Sequence, residues 1–171
     1  MLKDFVQESK FWTYQKLVEK AELLKPHPRK EYVNHEGFPY LGRSYRLKLV
    51  EDQQTPLKLI AGRFCLRNDL QKEAKFHFIH WYSAKAQIYL NDKVQALAAR
   101  MDVEPAGVKI QDLGYRWGSC GRGNRLHFNW KTILLPREIV EYVVVHELTH
   151  LHEPHHTPQF WKRVERVMPD S

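Results

Sequence analysis

The sequence predicts an α+β domain, a small twisted β-sheet packed with helices. Three observations carry that prediction. Stretches with apolar residues at helical spacing are separated by shorter stretches patterned every second residue. Prolines and glycines fall at the borders between them. Hydrophobic residues make up 43% of the chain and aromatic ones 12%, enough to bury a core and too many for a disordered chain.

Residues 2–24 place Phe5, Val6, Trp12, Leu17, Val18 and Leu24 at roughly helical spacing. Lys25-Pro26-His27-Pro28-Arg29 ends that helix, because proline blocks continuation and restricts the residue before it. Leu41-Gly42-Arg43 is a turn signal, and Tyr45 to Leu49 alternates as a half-buried strand does. Leu57 to Leu66 reads as one further strand. Residues 70–100 return to helical spacing through Phe76, Ile79, Trp81, Ala84, Ile88, Leu90, Val94 and Leu97. Val108–Trp117 and Arg125–Leu134 read as two strands joined by a turn at Gly121-Arg122-Gly123-Asn124. Pro136 suits the first position of a helix. That helix is expected to reach about His152 and to stop before Pro154. A last short helix fits Pro158–Val167, with Thr157 as its N-cap.

The 171 residues fit a single domain: residues 1–31 as N-terminal helix and linker, residues 32–171 as core. The formal charge is +7, spread from Lys16 to Arg163 with no dense basic run, so most of it reads as solvated surface. Two cysteines, Cys65 and Cys120, make no disulfide framework. No apolar run follows Met1-Leu2-Lys3-Asp4, and no stretch is long enough to span a bilayer, so the cytoplasm is expected, with no membrane partner.

The chemistry concentrates in His146-Glu147-Leu148-Thr149-His150. On a helix, residues i and i+4 lie one turn apart on one face, so both imidazoles reach a single metal ion. Glu147 stands beside them to hold and deprotonate a water there. Ile139, Val140, Val143, Val144 and Leu148 anchor the helix. A three-ligand zinc site with one open position needs a further ligand, and His152, His155 and His156 follow. Pro154 ends the helix, and successive side chains of an extended link point to opposite sides. One of His155 and His156 then faces the ion. The position of His156 after His146 matches the metzincin motif, although Glu153-Pro154 stands where that motif has Gly.

Together, Arg116-Trp117-Gly118-Ser119-Cys120, Leu126-His127-Phe128-Asn129-Trp130, the helix from Tyr142 to Leu151, His156-Thr157 and Phe160-Trp161 resemble the YgjP-like metal-dependent hydrolases. That family is related to the SprT-like and WLM metallopeptidases and shares the zincin core. Tyr40-Leu41-Gly42-Arg43 and Trp81-Tyr82 with Ala86 match its other landmarks. The resemblance covers residues 5–170. It implies a zinc metallohydrolase with its site in residues 136–168, one Zn²⁺ per chain on His146, His150 and His156, and Glu147 as general base. His156 aligns with the His of the family's Asn-His-Ser. His155 takes the Asn position, and Thr149 stands where Ala is commoner. The family usually opens with a β-hairpin before the first helix; this chain begins at the helix, which implies a sheet with fewer strands.

Around the motif, Arg116–Cys120 is expected to lie beside the cleft, lending edge backbone to an extended substrate. Trp117 packs, Gly118 allows a close approach, and Cys120 is a small buried hydrophobe. Arg116 suits either a substrate carboxylate or phosphate, or an ordinary salt bridge. Arg116 and His155 are the candidates for substrate binding and oxyanion stabilisation. Phe160 and Trp161 are expected to hold the last helix under the site. His127 and Asn129 stay without an assigned role.

The expected activity is metallopeptidase-type hydrolysis of a peptide. A nucleotide pyrophosphatase or phosphohydrolase acting on a small anionic substrate is the enzymatic alternative. A nucleic-acid-associated module of SprT-like character is the other, which the dispersed charge supports little.

Overall fold

The structure, a computed structural model, describes residues 29–169; the helix expected over residues 2–24 lies outside them. The chain divides between Glu31 and Tyr32 into two units. The second, Tyr32–Ser171, holds every element below.

The first sheet is built from two hairpins. β1 (Gly37–Tyr40) and β2 (Arg43–Val50) pair antiparallel around Leu41-Gly42, the turn expected from sequence. Both turn residues take positive φ, 48° and 77°, the mirror-image turn whose twist matches that of the strands. β3 (Leu57–Ile60) and β4 (Arg63–Arg67) form the second hairpin around Ala61 and Gly62, at φ 48° and 73°. One strand from Leu57 to Leu66 is therefore two. Alanine is strained in the left-handed region, so Ala-Gly is a weak turn signal compared with Asn-Gly. The sheet order is β1-β2-β4-β3, with β2 and β4 parallel.

A short 3-10 helix, Asn68–Glu73, leads into α1 (Ala74–Met101). Its buried residues, Ala74, Phe78, Tyr82, Ala86, Leu90, Val94, Leu97 and Ala98, recur nearly every fourth position, the stripe of a helix with one face in the core. The helix ends where Asp102 turns left-handed at φ 53°. Phe38 stacks on Phe78 at 4.2 Å, and Phe64 meets Trp81 edge-on at 4.9 Å. Full burial of such a side chain contributes about 1.5–3 kcal/mol. The buried Tyr82 hydroxyl donates to the Pro39 carbonyl at 2.7 Å, which satisfies it and ties α1 to β1.

The second sheet has three strands, β5 (Gly107–Gln111), β6 (Gly118–Cys120) and β7 (Arg125–Asn129), in the order β5-β7-β6. β5 runs parallel to β7, and β6 antiparallel. The expected strand from Val108 to Trp117 stops at Gln111. There Asp112 accepts the Gly114 N–H at 2.8 Å and opens a loop. The turn at Gly121–Asn124 joins β6, not β5, to β7. β7 ends at Asn129, whose side chain accepts the Lys131 N–H and caps a 3-10 helix over Trp130–Leu134. The single sheet expected from sequence is thus two small mixed sheets, and the α+β class stands.

α2 (Arg137–Thr149) follows Pro136, its N-cap. The β1–β2 turn docks at this point: Leu41 N–H donates to the Ile133 carbonyl at 2.8 Å and Gly42 N–H to Leu134 at 3.2 Å. A Cβ on Gly42 would stand 2.8 Å from Pro136 Cα. Glycine is therefore required twice here, for its φ and for the approach. α2 stops at Thr149, earlier than the expected His152, because Leu151 and His152 switch to bonds with Leu148 and Thr149, three residues back. α3 (Pro158–Val167) starts as expected, with Thr157 Oγ1 accepting the Phe160 N–H at 3.3 Å. Among the described residues, no helix is long and apolar enough to cross a membrane.

Candidate active site

α2 is held in place by Val140, Val143, Val144, Val145 and Leu148, all buried. This anchoring orients His146 on the helix and His150 at its C-cap toward the link that follows. Pro154 lies in that link, and the chain returns through His155 and His156 to α3. The structure brings His146, His150 and His156 together, with one ring nitrogen of each inside a 4.8 Å span. His146 Nε2 and His156 Nε2 are 3.0 Å apart. Zinc–imidazole bonds of roughly 2.0–2.1 Å in a tetrahedron put ligand nitrogens about 3.4 Å apart, so the three donors fit one ion with small adjustments.

Each ring is supported. His150 Nδ1 lies 3.2 Å from the Glu153 carbonyl. A carbonyl only accepts, so Nδ1 carries the proton and Nε2 presents a lone pair. The Glu153 carboxylate meets Arg163 of α3 at 3.4 Å, which ties the link to the last helix. Phe160, fully buried, lies 4.9, 4.7 and 4.7 Å from the rings of His146, His150 and His156, and Trp161 stacks on His156 at 5.6 Å. The two aromatics form the floor of the triad, as expected. Burial, reinforced by the charges of His150 and His155, lowers the His156 pKa and favours the neutral ring, the form able to bind a metal. His155 and His152 are exposed, and neither belongs to the cluster.

Glu147 is 6% exposed. Its carboxylate lies against β6, where a Cβ on Gly118 would come within 2.8 Å of Glu147 Cγ and Oε1. Gly118 thus makes the close approach expected of it, and its neighbour is the carboxylate. Burial pushes the Glu147 carboxyl up to about 7, against the Arg116 guanidinium and a hydrogen bond from the Cys120 backbone. Its charge in turn helps burial raise the pKa values of Cys120 and Tyr142. Tyr142 stands one turn before His146, its ring 5.9 Å from the imidazole. The Thr149 hydroxyl, absent where alanine is found, is satisfied by the Val145 carbonyl at 2.7 Å.

Arg116 lies in the loop ahead of β6 rather than on a strand, and is exposed. Among the described residues it forms no ion pair. Asn129, 1% exposed, holds the loop: its Nδ2 donates to the carbonyls of Gly114 at 3.2 Å and Arg116 at 3.1 Å. Thr132 adds a bond to the Trp117 carbonyl at 2.9 Å. Asn129 therefore positions the loop beside Glu147, a role its sequence context does not reveal. His127 faces Gly121 across the β6–β7 turn, where a Cβ would stand 3.0 Å from its Nε2. β6 is the edge of its sheet. Asn129 N–H donates to Trp117 and Gly121 N–H to Arg125. Antiparallel alternation therefore turns Gly118 and Cys120 to the open edge.

Among solved structures, the metallopeptidase zymogen of Pyrococcus abyssi, abylysin, is similar to this chain. It is 23% identical, at a TM-score of 0.44, over 47% of this chain and 80% of that one. No curated protein matches. The model of the YgjP-like family, described as a metallopeptidase domain, matches residues 1–171. The chain belongs to the YgjP-like family and is a hydrolase of the metallopeptidase type.

Proposed function

We propose that this protein is a zinc-dependent peptidase, one metallohydrolase domain in which His146, His150 and His156 hold the ion and Glu147 is the general base. The observation that carries this reading is the convergence of three imidazoles on the helix and link that also carry Glu147, a buried carboxylate packed against the edge strand β6. The ion, when bound, supplies Lewis-acid polarisation of the scissile carbonyl and lowers the pKa of a water ligand towards neutrality. Glu147 takes a proton from the attacking water and passes it to the leaving amine. Burial raises the pKa of this carboxyl and so favours its uptake of the proton. Extended substrate backbone lies along β6, where Gly118 faces outward.

Arg116 supports a second reading. An exposed guanidinium whose charge reaches Glu147 also suits a nucleotide or another small anionic phosphate ester.

Glu147→Gln is expected to keep zinc and to lose hydrolysis on the order of 10²–10⁴-fold. Metal analysis and turnover of a panel of neutral peptides and nucleotides test both points. Wild-type activity in this variant would remove Glu147 from the base role. Folded protein that takes up no zinc would remove the whole reading. Turnover of nucleotides alone, with Arg116→Ala raising KM, would select the second substrate class.

A further inference from the structure

Cations that lie apart in the sequence meet on one face of the four-stranded sheet. Side chains alternate along a strand, and cross-strand partners share a face. Leu47 and Leu49 of β2 stand with Phe64 and Leu66 of β4 on the core side. Arg46 and Lys48 therefore lie on the other face of the sheet with Arg63 and with Cys65, which is buried there. Lys58 of β3 flanks Cys65 from the other side. None of the residues of the four strands is acidic. Arg46, Lys48 and Arg63 are exposed, and among the described residues none of them joins an ion pair. One guanidinium nitrogen of Arg46 donates to the His35 carbonyl at 2.8 Å, which steadies the side chain without neutralising it. Glu51, Asp52 and Asp69 line a cavity with Arg67 at the other end of β4, where Asp69 pairs with Arg67.

This arrangement works against the fold. Arg46 and Arg63 are direct cross-strand neighbours, and like charges in that relation destabilise a sheet. Neither is needed for the core, whose large side chains Leu47, Phe64 and Leu66 lie on the opposite face. A bound polyanion relieves the repulsion.

We propose that this face binds nucleic acid through its phosphate backbone. The cations form a two-dimensional array, about 5 Å apart across the strands and about 7 Å along them, suited to repeated anions rather than a single one. Guanidinium groups match phosphate oxygens with paired hydrogen bonds. Among the described residues, Ile60 is the one large exposed apolar side chain that the strands place on this face, too little to anchor in a bilayer. Among the described residues, the strands place no aromatic side chain on this face for bases to stack on, so recognition is independent of sequence.

The test is fluorescence anisotropy of zinc-loaded protein with labelled single-stranded and duplex oligonucleotides across a salt series. Binding is expected to weaken linearly in log affinity against log salt, with a slope of about 0.7 per phosphate contacted on single strands and about 0.9 on duplex. Arg46→Ala, Lys48→Ala and Arg63→Ala should each lower that slope by about 1. Arg166→Ala, on exposed α3 surface, removes the same charge and should leave it unchanged. Unaltered zinc content confirms that the variants fold. Three results overturn the proposal: no salt-dependent binding, an equal loss in Arg166→Ala, or tighter binding to vesicles of anionic lipid than to either oligonucleotide.

Discussion

Glu147 occupies its place because Gly118 has no side chain. Any Cβ there would overlap the carboxylate, so Gly118 and Glu147 form a unit built from two distant motifs. The same burial makes Glu147 unfavourable to ionise in the metal-free protein, and this has a signed consequence. Its folded pKa is raised from 4.5 to about 7. Its contribution to stability is therefore fully present below about pH 4.5 and is lost as pH rises through 7. The loss amounts to roughly 3 kcal/mol at 1.36 kcal/mol per pKa unit. Glu147→Gln does not titrate. In chelator-treated protein, the variant is expected to gain on the wild type by about that amount between pH 4.5 and 8. Chemical denaturation at both pH values measures it. A stability difference that stays constant with pH would show that the carboxylate is not desolvated. At this scale the sequence showed His146, Glu147 and His150 clearly, because helical spacing alone sets their geometry. Asn129 was silent, since its partners, the carbonyls of Gly114 and Arg116, become neighbours only through the return of β7 beside β6.

The elements around the site differ in how they announce themselves. α3 matched its expected bounds because its signals, Thr157 and Pro158, are local. The second hairpin was hidden because Ala61 adopts a left-handed conformation under the demand of strand pairing, not of its own preference. β5 was expected to be too long because apolar residues continue past Gln111 into a loop that side chains, not strands, hold. That loop is the element most open to experiment. Asn129→Ala removes two donors to its carbonyls and the cap on the next 3-10 helix. The cost is expected at about 1–3 kcal/mol of folding stability. Because the loop carries Arg116, KM should rise more than kcat falls, for a substrate that uses the guanidinium. Unfolding curves and steady-state kinetics on one preparation separate the two effects. A fall in kcat alone would place the loop outside substrate binding.

Across the molecule, the fold brings separate parts of the chain to one helix. The first sheet reaches the start of α2 through Gly42 and Pro136, the second lays β6 against Glu147, and α3 supports the histidines from below. A metal held by His146, His150 and His156 would join α2 to the link before α3, so binding it should stabilise the folded state as a whole. Zinc at a hundred times its dissociation constant contributes about 2.7 kcal/mol, roughly 5–10 °C in Tm for a chain of this size. His156→Ala removes one of the three clustered nitrogens and should abolish most of that shift. His155→Ala should keep it, because His155 lies outside the cluster and acts on its neighbour only through charge. Comparing each variant's Tm with and without zinc, rather than the variants with one another, cancels any change in the metal-free protein. The comparison also needs no substrate, so it judges the ligand set apart from the reaction. A zinc shift that survives in His156→Ala and vanishes in His155→Ala would reverse the assignment, and with it the path of the chain from Pro154 to Thr157.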